Sequence, residues 1–446
     1  MKITDMNLDK AIRKIAFPAI FSFLFTVLYE IVDAFWLGKL SYSSVFAAMG
    51  AASFITWSLY SLINIASAGV NSLVARKVGE DDKEGYQRVA AEGYSVASII
   101  GLLITFIMTL VYRKIFVVIG LEGQVLEDAC KYFSVMNAGF LIIYFYNINT
   151  MVFNAHGDTK TGMKIQAFML LFNCVIDPLF ILGWGPFPKL GIKGAAIATI
   201  FSQTLGFTVG LVLLSRRKYI AKRAFKRFFK YIYAKKIVKI GFPVALVNWV
   251  FAMVYPALTS LITKTGNIDA LGALNICHKL EGIPYFISMG FSVTAAALAG
   301  QYIGAGKSDM SIKAVHRTVL YNSAFLFVIS VVFYFIPEKI LSLITSDPKI
   351  IFEGARYLKI IAIFELLLGF EVVYEGGFTG ISKTHIPMFV SIPLTLLRIP
   401  LAYYLCFTLN MSIPGIWWAI SFTTFLKGLI IYIMFKHEQN TIGVRS

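Results

Sequence analysis

Two pairs of polar residues, each spaced four apart inside an apolar run, carry the chemistry that this sequence offers. Tyr29 and Asp33 stand in LYEIVDAFWLGKL (28–40), and Asn173 and Asp177 stand in LLFNCVIDPLFIL (170–182). A spacing of four puts both members of a pair on one helical face. A carboxylate in a hydrocarbon-deep helix costs roughly 2.5–3.5 kcal/mol on insertion scales unless it faces protein or a water-filled cavity. The two aspartates therefore read as interior and functional. Two carboxylates, an amide oxygen and a phenol make a hard-oxygen set for a small cation such as Na+ at Asp33, Asn173 and Asp177. The same carboxyls can instead take up H+, since burial and a neighbouring like charge both favour the neutral form. Pro18 lies fifteen residues before Asp33. It removes a backbone hydrogen bond and crowds the preceding turn, so the helix carrying Asp33 has a hinge. In the second half, Glu365, Glu371 and Glu375 share one apolar segment and Arg398 sits near the middle of the next. An arginine at that depth needs a partner, and the expectation is an ion pair of Arg398 with Glu365 or Glu371 that stabilises its lobe.

The elements that position these residues are membrane-spanning helices. Of 446 residues 58% are hydrophobic and 15% charged, with a mean hydropathy of +0.73, a composition outside the soluble range. A span needs about 20 apolar residues. Twelve segments qualify, at 14–37, 45–74, 88–112, 129–153, 163–185, 191–215, 237–263, 270–303, 316–336, 353–379, 386–409 and 413–436. They are too long and too continuously apolar for barrel strands. The chain reads as an all-α membrane protein. Lys2, Lys10, Arg13 and Lys14 lead into the first span with no small-residue cleavage site after it, so that helix reads as retained rather than as a signal peptide. Cys130, Cys174, Cys277 and Cys406 are scattered, which gives neither a disulfide framework nor metal-ligand spacing. No His/Asp/Ser constellation or metal spacing lies beside the spans, which argues against an enzyme, and no filter motif suggests a channel.

The net charge of +17 follows from basic loops and does not call for nucleic acid. Lys and Arg number 27 in the amino-terminal segment, the even loops and the tail against 12 in the odd loops. By the positive-inside rule both termini are cytoplasmic, in the cytoplasmic membrane. The richest loop, 215–240 (SRRKYIAKRAFKRFFKYIYAKKIVKI), has eleven basic and no acidic residues interleaved with aromatics. It reads as a helix on the anionic inner leaflet, with membrane lipids as its partners.

That loop separates two copies of one sequence. KAIRKIAFPAI from Lys10 and KKIVKIGFPVA from Lys235 align at an offset of 225, which maps Pro18 on Pro243. The offset also lays VARKVGEDDKEG (74–85) over AGQYIGAGKSDM (299–310) and AHGDTKTGM (155–163) over GISKTHIPM (380–388), and it falls to 221 where GIKGAAIA (191–198) meets SIPGIWWA (412–419). The expected organisation is twelve transmembrane helices in two pseudo-symmetric six-helix lobes, 1–214 and 241–446, joined by the basic linker 215–240. With an even number of spans in each, the halves should be related by an axis along the membrane normal. The Gly-rich turns lack the strand and lysine spacing of a phosphate-binding loop and read as helix caps.

The VDAFWLGKL end of the first span, the LVARKVGEDD and LAGQYIGAGKSD turns and NAHGDTKTGM, in this order over both halves, resemble the multidrug and toxic compound extrusion (MATE) family. The resemblance covers essentially the whole chain. It implies a monomeric, cofactor-free secondary transporter that exports small organic drugs, often amphipathic cations, in exchange for Na+ or H+. It also implies site roles: Asp33, Asn173, Asp177 and Thr199 for the coupling cation, and Tyr29, Tyr132 and Asn147 in the substrate cavity. Some members carry a glutamate in the seventh span, where GFPVALVNWVFAM has Asn248 and no acid. A related flippase for a lipid-linked precursor is the alternative, and it would be expected to line its cavity with more basic residues.

Overall fold

The computed structural model describes residues 3–40, 44–220 and 231–443. Among them are fourteen α-helices and no strand: α1 (Leu8–Leu37), α2 (Ser44–Gly79), α3 (Lys83–Val118), α4 (Gly123–Ala138), α5 (Phe140–Ala155), α6 (Thr159–Leu182), α7 (Ile192–Arg216), α8 (Ala234–Lys264), α9 (Ile268–Gly304), α10 (Ser308–Phe335), α11 (Pro337–Ser342), α12 (Pro348–Gly380), α13 (His385–Tyr403) and α14 (Ile413–Gly443). The leaflet-bound helix expected in the basic linker has its centre, 221–230, outside the described residues.

The duplication is written into the helix ends. α2 and α9 stop at Gly79 and Gly304, and α3 and α10 start at Lys83 and Ser308, each 225 residues apart. The turns between them close as caps. The Asp82 carboxylate accepts from the Gly85 N–H at 2.7 Å and satisfies a donor that the first turn leaves orphaned.

Ten of the helices are long and apolar enough to cross a membrane, and α4 with α5 makes an eleventh span bent by 51°. The twelve expected segments are all helical, with two qualifications. The fourth span breaks at Gly139, where a Cβ would stand 2.1 Å from the Ile200 side chain on α7, so the close approach of α7 demands glycine. The tenth, inside α12, runs unbroken for 33 residues but is not among the ten, and it carries three acids, Glu365, Glu371 and Glu375.

By its contacts the chain divides into two compact units, Phe17–Ala245 and Met1–Ala16 with Leu246–Ser446. The helices α1 and α8 thus each give their first turns to one unit and the rest to the other. In the first unit the core is built by α2, α3, α4, α5 and α7, with Val70, Tyr94, Phe133, Tyr144 and Phe153 at its centre. Gly69 and Gly241 allow α2 and α8 to touch, because a Cβ on either would lie within 2.2 Å of the other helix's backbone. Small residues at crossings are how membrane helices gain packing without a hydrophobic drive. In the second unit α12 is central, packed against α9, α10 and α14 around Leu258, Tyr357 and Trp417. The four cysteines are free, and Cys277 donates to the Gly354 carbonyl at 3.6 Å.

Candidate functional site

In the first unit α1, α6 and α7 bring together side chains from three distant stretches of sequence. Asp33, Asn173, Asp177 and Thr199 are all buried. The Thr199 hydroxyl donates to Asp33 Oδ2 at 3.3 Å, and the Asn173 amide donates to Asp177 Oδ1 at 3.0 Å. The two carboxyls lie against each other. The buried Tyr29 hydroxyl faces both acids and lies in reach of Thr199 and Ser202. Tyr60 and Tyr132, also enclosed, border Asp33.

Four oxygens in this cluster have no hydrogen-bond partner: Tyr29 Oη, Asp33 Oδ1, Asn173 Oδ1 and Asp177 Oδ2. Orphaned acceptors in an interior are uncommon and call for an explanation. Two negative charges side by side in a low dielectric repel strongly. Any cation taken up between them, a proton included, relieves both conditions, and the donor set of carboxylates, amide carbonyl and hydroxyls suits a hard cation.

Two neighbours are less enclosed than the cluster, although the Glu30 charge reaches Asp33, Tyr60 and Tyr132. Glu30 is exposed, unlike Asp33 three residues on. Asn147 is half-buried on α5, and no hydrogen bond ties it to the aspartates. Asn149, two residues on, is an interior amide that accepts from the Tyr94 hydroxyl and donates to the Phe207 carbonyl at 2.8 Å. Pro18 lies inside α1, and its carbonyl accepts from the Ser22 hydroxyl at 3.1 Å.

The second unit corrects the expected pairing of Arg398. Its Nε and Nη2 donate to the hydroxyls of Thr423 and Thr424 at 3.0 and 3.1 Å, and the guanidinium lies over the Phe251 ring at 5.9 Å. Among the described residues it makes no ion pair. Glu371 is taken instead by Lys427 Nζ at 2.5 Å, and the Lys427 ammonium also lies 5.8 Å from the Phe251 ring centroid. The reason is the face of α14. Lys427 stands one turn beyond Thr423, so α14 offers hydroxyls to the arginine and an ammonium to the glutamate. Glu375 accepts from the Ser391 hydroxyl at 2.8 Å. Glu365 is buried with both oxygens unpartnered.

A further acid, Glu281 on α9, accepts from the Tyr357 hydroxyl at 2.9 Å and senses the Arg398 charge. Nothing in the sequence reading singled it out. The signal was present, because an acid in the apolar segment 270–303 is as costly as Asp33 is in its own.

The fold and the buried polar clusters define a multi-pass helical membrane protein built from a doubled six-helix unit. The chain belongs to the MatE family, whose profile matches residues 18–179 and again 243–404. The two matches start 225 residues apart, the offset carried by the repeat. The "Probable multidrug resistance protein NorM" of Thermotoga maritima is 24% identical over 99% of this chain and 95% of its own length. The "FAD transporter" of Shewanella oneidensis is 21% identical over 96% of this chain and 94% of its own. A solved structure described as an outward-facing conformation of a multidrug resistance MATE family transporter of the MOP superfamily has the same fold, with a TM-score of 0.89 at 22% identity over 99% of this chain and 98% of that one.

Proposed function

We propose that the protein is a secondary active exporter of amphipathic, often cationic organic compounds, driven by the inward movement of Na+ or H+ through the cluster of Asp33, Asn173, Asp177 and Thr199. The observation that carries this reading is the group of four unpartnered oxygens around two adjoining buried carboxyls. An empty, doubly charged cluster attracts water or a cationic compound. A cluster that holds H+ or Na+ is neutralised and can close on itself. A ligand moves a conformational equilibrium only through its differential affinity for the two states, and here the coupling ion would supply that difference. Tyr29 and Tyr132 would border the compound on its way past the acids.

In this reading the chain is a monomer in the cytoplasmic membrane with both termini inside, it needs no cofactor, and residues 215–240 link the lobes. The name of the Shewanella relative makes the charge of the transported compound the point to settle. The test is efflux of a fluorescent organic cation from proteoliposomes under an imposed Na+ or H+ gradient, one at a time. Efflux under one gradient is the expected result. No efflux under either, or efflux without a gradient, overturns the proposal.

A further inference from the structure

We infer that the groove between α6 and α7 on the basic side of the first unit is a binding site for one anionic phospholipid of the inner leaflet. The groove has a volume of about 460 Å³, within the size range of ordinary ligand sites. Its walls are two stripes at helical spacing, Lys160, Lys164 and Phe168 on α6, and Val209 and Leu213 on α7 with Arg217 capping its end. Each stripe steps by four residues, so each lies along one helical face.

The two helices run in opposite directions, and the stripes are graded in the same sense. α6 enters with its lysines and reaches Phe168 deeper, whereas α7 arrives from Val209 and ends with Arg217. Eight residues of rise make the gradient about 12 Å long. It is basic at the loop end, which the distribution of Lys and Arg makes cytoplasmic, and apolar toward the bilayer interior. A phospholipid has that same polarity profile along the membrane normal. Phe168 is 46% exposed, and Leu171 and Val175 further along α6 are 66% and 65% exposed, so the apolar end opens onto the lipid-facing surface.

The charge at the mouth is available. The one acid there, Asp158, is bound by Arg217 and accepts from the Thr161 hydroxyl at 2.9 Å, while Arg217 is steadied by lying over the Phe153 ring at 6.0 Å. Among the described residues neither Lys160 nor Lys164 is committed to an ion pair, and both are exposed. Arg216 and Lys218 flank Arg217 in the sequence. An apolar groove alone would take any acyl chain, whereas two unpaired lysines beside it select a headgroup that carries net negative charge.

The experiment is a titration of the purified full-length protein in neutral detergent, read by native mass spectrometry and by the thermal midpoint. The probes are phosphatidylglycerol, phosphatidylcholine with the same acyl chains, and inorganic phosphate. Phosphatidylglycerol is expected to bind and raise the midpoint, phosphatidylcholine to bind several-fold more weakly, and phosphate to do nothing at matched concentration. Lys160→Gln and Lys164→Gln should each weaken phosphatidylglycerol about fivefold, the equivalent of about 1 kcal/mol per basic residue at a membrane surface. Lys114→Gln, at an exposed lysine on α3, should leave it unchanged. Phe168→Ser should weaken both lipids together. Equal binding of the two lipids, full protection by phosphate, or unchanged selectivity in the lysine variants would overturn the site. If either lysine variant does not fold, Lys160→Glu gives the same discrimination.

Discussion

Glu92, on α3, holds its carboxylate against the backbone N–H of Ala234, the first residue of α8, at 2.9 Å, and against that of Tyr233 at 2.6 Å. The repeat supplies the counterpart. Arg317 lies 225 residues after Glu92, and Asp9 lies 225 before Ala234; Arg317 Nε and Nη2 donate to the two Asp9 carboxylate oxygens at 2.8 and 3.4 Å. Each unit thus anchors the first turn of a helix whose remainder belongs to the other unit. The same task is done with opposite charges, a carboxylate on orphan amides in one case and a guanidinium on a carboxylate in the other.

These two anchors should differ in strength. Glu92 is 2% exposed, so Glu92→Ala strands two part-buried N–H donors and should cost about 1–3 kcal/mol. The Asp9–Arg317 pair is solvent-exposed and should matter less. Thermal unfolding in detergent should show a clear drop in midpoint for Glu92→Ala and a smaller one for Arg317→Ala. The reverse order would mean that the buried carboxylate is not the anchor.

The buried pair of Lys427 and Glu371 gives a second expectation. Removing one partner of such a pair leaves an uncompensated interior charge and typically costs 3–5 kcal/mol, about the same from either side, whereas replacing both with apolar residues is often near neutral. Lys427→Met should therefore lower the midpoint sharply, and Lys427→Met with Glu371→Leu should recover most of the loss. A double variant no better than the single one would show that Lys427 acts mainly through Phe251 rather than through Glu371.

How far these relationships could be read from sequence depended on what each one needed. The repeat and the pairing of Asp33 with Asp177 were legible, because identical spacing and the cost of a buried carboxylate are local facts. The partner of Arg398 was not. Glu371 and Glu375 share one face of α12, a turn apart, and Glu365 lies on another, and which of them α13 or α14 meets is set by packing alone. Helical phase is equally hidden on α5, where Asn147 is half-buried and Asn149, two residues on, is interior. The bend at Gly139 left no proline to read, and what fixes a glycine there is Ile200, which approaches from another helix.

His156, in the turn between α5 and α6, provides a pH prediction. Its ring stacks on Tyr219 at 3.7 Å, Nδ1 donates to the Val152 carbonyl at 2.8 Å, and Nε2 has no partner. Burial pushes the imidazole down from its ordinary 6.5 to about 4. The unfolded chain therefore binds a proton that the folded one refuses. Stability is full above the ordinary value and falls as the pH drops from about 6.5 toward 4, by about 3 kcal/mol at most. His156→Phe keeps the stack and removes the titration, so its thermal midpoint should decline less than that of the unmutated protein between pH 7 and 5. Parallel declines would place the acid sensitivity elsewhere.

Asp33 yields the prediction that bears on transport. It is the acid of the cluster that α1 carries, fifteen residues beyond Pro18, so its occupancy is the one most directly linked to a bend of that helix. Asp33→Asn keeps the size of the side chain and can still bond to Thr199, yet it removes the charge that an ion would neutralise. Gradient-driven efflux should be lost while the protein remains folded and monodisperse. Asp177→Asn should weaken efflux in the same way, because the neighbouring carboxyl shares the ion. Glu30→Gln should do less, since Glu30 is exposed and acts on Asp33 through charge alone. Pro18→Ala should leave ion-dependent protection of the cluster intact but slow efflux, because the substitution restores a helical N–H and stiffens the hinge. Transport by Asp33→Asn at the unmutated rate, with expression equal, would move coupling to the second unit. There Glu365, whose two oxygens have no partner, is the acid to substitute next.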